Sequence, residues 1–137
     1  MLMPKKTKYR KEHKRNLTGK STRCLNVSFG SYGLKSMTGA LVTSRQIEAA
    51  RRVITRYIKK GGKIWIRIFP DKSMTLHGNE SPMGKGKGGV DHYVAVVKPG
   101  MVLFEVEGLD EKTAQDAMIS AGHKLPLKSR FVANHSK

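Results

Sequence analysis

The stretch TSRQIEAARRVITRYIKKGGKIWIRIF, residues 43–69, joins a helix pattern to a strand pattern across a pair of glycines. Thr43 and Gln46 have the spacing of a capping box, in which each side chain satisfies the other residue's backbone N–H. Ile47, Ala50, Ile54, Tyr57 and Ile58 recur at helical spacing and form one apolar stripe. At about 100° per residue, Arg45, Arg52, Arg56 and Lys59 gather on the opposite side. Glu48 offers partial compensation, to Arg52 one turn on. Gly61-Gly62 stops the helix after Lys59-Lys60. In residues 63–69, Ile64, Ile66 and Ile68 share one strand face, and Trp65, Arg67 and Phe69 share the other. Both faces are largely apolar, which predicts a central strand. Core packing is the expected use of Trp65 and Phe69, because large aromatics dominate cores.

Working outward, residues 25–29 alternate as a half-buried strand does. Residues 32–37 and 39–42 are short strands of a predicted meander. After Pro70-Asp71, a strand begins near Met74 and runs into a long loop, residues 77–91. Residues 92–98 and 101–107 alternate again. Pro99-Gly100 between them suits the centre of a type II turn, which predicts an antiparallel hairpin. Asp110 is the expected N-cap of a second helix. Its stripe is Ala114, Ala117, Met118 and Ala121, and Gly122 stops it. A last strand is expected around residues 128–132. The predicted class is α+β: a mixed or antiparallel sheet sandwich with two helices packed on it.

The charge balance selects the partner. Lys and Arg number 27 against 10 Asp and Glu, a formal charge of +17. Such an excess favours a polyanion, nucleic acid before an anionic membrane, and no long apolar run supports a membrane. The single cysteine, Cys24, forms no intramolecular disulfide, which fits a reducing compartment. No apolar secretory signal opens the chain. Residues 1–23 read as an extended basic arm that orders only against a polyanion, with Lys5, Lys6, Lys8, Tyr9, Arg10, Lys11, Lys14 and Arg15 as its RNA contacts. Residues 24–132 read as one RNA-binding domain, and 133–137 as a loose tail.

The loop holds Pro82-Met83-Gly84-Lys85-Gly86-Lys87-Gly88-Gly89. Glycine allows close backbone approach and lysine adds charge on a long stem, a combination suited to a finger for phosphate or RNA. The run contains G-x-G-x-x-G, but a strand follows it, whereas a dinucleotide site needs a helix there. A P-loop needs Ser or Thr after its lysine, and Lys85 precedes Gly86. The histidines are scattered, no H-E-x-x-H occurs, and no metal site is expected. Asp71, Glu80 and Asp91 suit turns or lysine partners better than paired-carboxylate chemistry. An RNA-modifying enzyme therefore lacks a convincing acid–base set. A free nucleic-acid-binding module is one reading these residues leave open.

Several segments, in one order and at natural spacing, resemble the bacterial and organellar large-subunit ribosomal protein L-sixteen family. They are residues 4–11, 27–35, 43–52, 62–72 and 83–88, and the likeness spans essentially the whole chain. Residues 27–35 match what is read as the family's first hairpin. The resemblance implies an α+β sandwich with a mobile loop and no enzymatic activity or cofactor. It implies binding to large-subunit rRNA near the central protuberance, with 5S rRNA and neighbouring ribosomal proteins close by. It implies that the arm and the loop reach toward A-site tRNA, with P-site tRNA a further partner, near the peptidyl-transferase centre. Arg45, Arg51, Arg52, Arg56, Lys59, Lys60, Arg67 and Lys72 complete the expected rRNA contacts. Pro82, Met83, Gly84, Lys85, Gly86, Lys87 and Gly88 form the expected tRNA-proximal loop. Many members carry Arg before Met-Gly-Lys-Gly-Lys-Gly, and some hydroxylate it; Pro82 stands there in this chain. No membrane contact and no homo-oligomer is implied. The implied location is a ribosome, in a bacterial-type cytoplasm or an organelle.

Overall fold

A computed structural model describes residues 2–6, 8–9, 11, 19–58, 61–76 and 89–134. The helix read from the opening stretch is α1, Ser44–Tyr57. Its capping box forms: Gln46 N–H donates to Thr43 Oγ1 at 3.1 Å, and Thr43 N–H donates to Gln46 Oε1 at 2.9 Å. The helix ends three residues before the glycines, with Ile58 already extended at its C-cap. Ile47, Ala50, Val53 and Ile54 are its buried face. The second helix, α2, is Glu111–Gly122, and Asp110 caps it through Thr113 N–H.

The described residues form seven strands in two sheets, and every pairing among them is antiparallel. The first sheet runs β3 (Lys63–Ile66), β6 (Val102–Glu107), β1 (Tyr32–Ser36), β7 (Ser129–Ala133). The second runs β2 (Ala40–Thr43), β5 (Gly89–Val97), β4 (Lys72–Leu76). One core joins them. Leu34, Phe104 and Val106 meet Val42, Ala95 and Val97 of the other sheet, with Ile47 and Ile54 of α1 and Ala114 and Met118 of α2. Tyr57 Oη and Ser120 Oγ, 3.4 Å apart, link the helices.

Four expectations change. The Pro99-Gly100 turn exists: Gly100 has φ +95° and Met101 N–H reaches Lys98 O at 3.3 Å. It does not close a hairpin, because β5 pairs with β2 and β4 while β6 pairs with β1 and β3. The turn hands the chain from one sheet to the other. The predicted meander fails likewise, with β1 and β2 in different sheets. The apolar strand of the opening stretch is short and lies at a sheet edge, paired among the described residues only to β6. Residues 25–29 form no strand, nor half of a hairpin.

The last two corrections share one cause. Residues 24–30 run as a strap across the face of the first sheet that the helices leave open. Glu105 lies on that face and is fully buried. Its Oε1 accepts the N–H groups of Ser28, Phe29 and Gly30 at 2.9, 2.7 and 2.9 Å. Arg67 Nη1 donates to the other carboxylate oxygen, Oε2. The Phe29 ring stacks on Trp65, with centroids 6.1 Å apart, and the Arg67 guanidinium lies 4.8 Å from the Phe29 centroid. The second face of β3 is therefore apolar because the strap covers it, not because strands flank it. A Cβ at Gly30 would lie 2.5 Å from Val106 O, so only glycine lets the strap lie this close.

Candidate nucleic-acid interface

The exposed side of α1 carries the clearest cationic surface. Arg45, Arg52 and Arg56 all face solvent, and the Arg52 side chain is 70% exposed. The capped, core-anchored helix holds their backbones in fixed register. Arg51 departs from them. Its Nε and Nη2 grip both oxygens of Glu48, at 3.0 and 2.5 Å. Glu48 also reaches Arg52, at 3.4 Å. The expected compensation thus goes mainly to Arg51, beside Arg52 in the chain, and leaves Arg52 largely unneutralised. The Arg51 hydrogen bond comes first among the causes that hold the Glu48 carboxyl down, at about 2.

The other expected contacts divide. Lys5, Lys6, Lys8, Tyr9 and Lys11 are exposed, with no helix or strand around them. Lys8 Nζ lies 5.6 Å from the Tyr9 ring centroid. Leu2 packs against the core, and Ser21 N–H donates to Pro99 O at 3.0 Å, so the arm touches the domain on both sides of its basic run. Arg67 points inward to Glu105 with its side chain 16% exposed, so its charge is already used by the fold. Lys72 is buried in β4, 8% exposed, and does not stand on an open surface. Arg10, Lys14, Arg15, Lys59, Lys60 and residues 82–88, Pro82 to Gly88, lie outside the described residues.

Glu105 has the electrostatics of a structural anion. Burial pushes its carboxyl up, but the hydrogen bond from Gly30, the Arg67 guanidinium and the Phe29 N–H outweigh burial and leave it below the ordinary glutamate value. Sequence reading missed this centre, because a glutamate inside an alternating strand looks like a solvent-facing residue. It also missed Lys35 and Arg130. They are direct cross-strand partners of β1 and β7, and nothing in either segment announces that pairing.

Asp91 and His92 pair at 2.7 Å at the start of β5, both substantially exposed. Among the described residues no three His, Cys, Asp or Glu side chains gather as a metal site. No helix among them is long and apolar enough to cross a membrane. A capped helix with an arginine-rich exposed side, on a chain of charge +17, defines a strongly basic α+β protein of the kind suited to a polyanion.

Comparison with known proteins makes that class specific. The family model described as "Ribosomal protein L16p/L10e" matches residues 4–132. A protein of Trieres chinensis named "Large ribosomal subunit protein uL16c" is 55% identical over 132 residues, 96% of each chain. Its namesake in Gracilaria tenuistipitata is 51% identical over 132 residues, 96% of this chain and 98% of that one. The Porphyra purpurea namesake is 49% identical over 136 residues, 99% and 98% of the two chains. The chain belongs to the L16p/L10e family of ribosomal proteins. It is a structural constituent of the large ribosomal subunit rather than an enzyme.

Proposed function

We propose that this protein binds large-subunit rRNA near the central protuberance and the 5S rRNA, beside other ribosomal proteins, and helps position aminoacyl-tRNA near the peptidyl-transferase centre. The observation that carries the reading is the open arginine face of α1, Arg45, Arg52 and Arg56, on a chain of this family. Guanidiniums on a fixed helix place phosphates without reading bases, so specificity comes from the shape of folded rRNA. Residues 1–23 act as an RNA-ordered arm on the domain of residues 24–132. The loop expected at residues 77–91, of which 89–91 belong to the start of β5, is through Lys85 and Lys87 the part that meets A-site tRNA, with P-site tRNA beside it. Pro82 removes a cation at the loop's approach and fixes φ there, which shifts the work to the two lysines and the backbone N–H groups. The place of action is the ribosome, of bacterial type or in an organelle.

Two experiments test this. In a sucrose gradient the protein is expected to sediment with large subunits; recovery only as free protein or on bulk duplex would favour a free nucleic-acid-binding module. In reconstituted ribosomes, Lys85→Ala with Lys87→Ala is expected to weaken tRNA accommodation while subunit assembly proceeds. Unchanged peptide-bond formation would remove the loop from the mechanism.

A further inference from the structure

The helices cover one face of the first sheet, and strand pleating turns Lys35 to the other, since its neighbour Leu34 is in the core. Lys35 and Arg130 sit directly opposite each other across β1 and β7. Like charges at such positions repel. Among the described residues neither has an ion-pair partner. Beside them, the strap and β7 bound an open groove of about 440 Å³. Leu25, Val27 and Val132 give it apolar walls, Asn26 lines it with an amide, Asn134 borders it with Nδ2 donating to Gly30 O at 3.2 Å, and Lys35 supplies a cation. Among the described residues no acid lines it. Its volume is that of a small-ligand pocket, about 300–1,000 Å³.

We propose that this groove is a second RNA contact, which seats an unpaired nucleotide with its phosphate between Lys35 and Arg130. An anion there converts the repulsion into attraction. The apolar walls suit a base face and the Asn26 amide suits its edge. The arginines of α1 lie in the helix layer, and the groove lies beyond the sheet. Two different RNA segments therefore meet the protein from opposite sides, and the domain acts as a spacer between them.

The inference rests on the RNA-binding reading, and the test separates the two. Binding of the whole protein to large-subunit rRNA is measured against salt for the native chain, for Lys35→Gln with Arg130→Gln, and for Lys35→Arg with Arg130→Lys. Each single-strand phosphate that goes unneutralised lowers the slope of log K against log salt by about 0.7. The neutral pair, which leaves that one phosphate unneutralised, is thus expected to lower it by about 0.7, and the charge-retaining pair to restore it. Lysine–RNA crosslinking of native subunits, which needs no variant, is expected to join Lys35 to a nucleotide distinct from those protected by α1. An unchanged slope in the neutral pair, or a Lys35 crosslink to a neighbouring protein, overturns the groove but leaves RNA binding standing. Salt-independent binding by the native chain overturns both.

Discussion

Glu105 ties the strap and Arg67 to β6. One of its oxygens collects three successive N–H groups, the other takes Arg67, and Arg67 in turn covers Phe29. Removing the carboxylate leaves a largely buried guanidinium and three donors unpaired. Glu105→Ala is expected to cost about 3–5 kcal/mol, the usual penalty for breaking a buried pair from one side, read by urea unfolding. Gly30→Ala strikes the same strap through Val106 O and is expected to cost about 1–3 kcal/mol by overpacking. The sign of the pH effect follows from the lowered pKa. A carboxyl held below its unfolded value of about 4.3 contributes fully above that pH and is lost as pH falls through the folded value. The native chain should therefore lose melting temperature between about pH 5 and pH 3 more steeply than Glu105→Gln does. Equal acid limbs would show that the strap is held by packing alone.

At the scale of elements, α1 was legible because all its determinants are local: a reciprocal cap and a stripe at helical period. Thr43→Ala is expected to lower stability by about 1 kcal/mol, the usual worth of such a cap, by thermal melting. Arg52→Gln with Arg56→Gln should leave the melt unchanged and lower the salt slope of rRNA binding by about one for each phosphate no longer neutralised. The second helix was equally readable. Apart from residues 25–29, the strands were placed in sequence but not in space. Alternation says which side of a strand is apolar and nothing about which strand lies beside it. The apolar second face of β3 suggested flanking strands, yet an irregular strap supplies that cover, and irregular backbone has no period to detect. The arginines of α1 could be anticipated from one helix alone. Lys35 and Arg130, 95 positions apart in the chain, could not.

For the whole molecule, charge and topology make separate demands. A net +17 on a chain of this size repels itself until a polyanion neutralises it, so added rRNA should raise the melting temperature and salt should erode that gain. The topology demands the full domain. A chain cut after residue 127 lacks β7, the only described neighbour on that side of β1, and is expected to show no fixed tertiary signal in near-ultraviolet circular dichroism. The turn at Pro99-Gly100 makes the two sheets interleave along the chain: β1 awaits β6 and β7, while β2 awaits β5. Pairings this distant close large loops before they gain contacts, which slows folding. On a translating ribosome, β1 and β2 would emerge and wait with bare edges while roughly fifty to sixty-five residues more are made. For that interval the nascent chain is a cationic coil beside rRNA, and its earliest partner is the machine it is built to join.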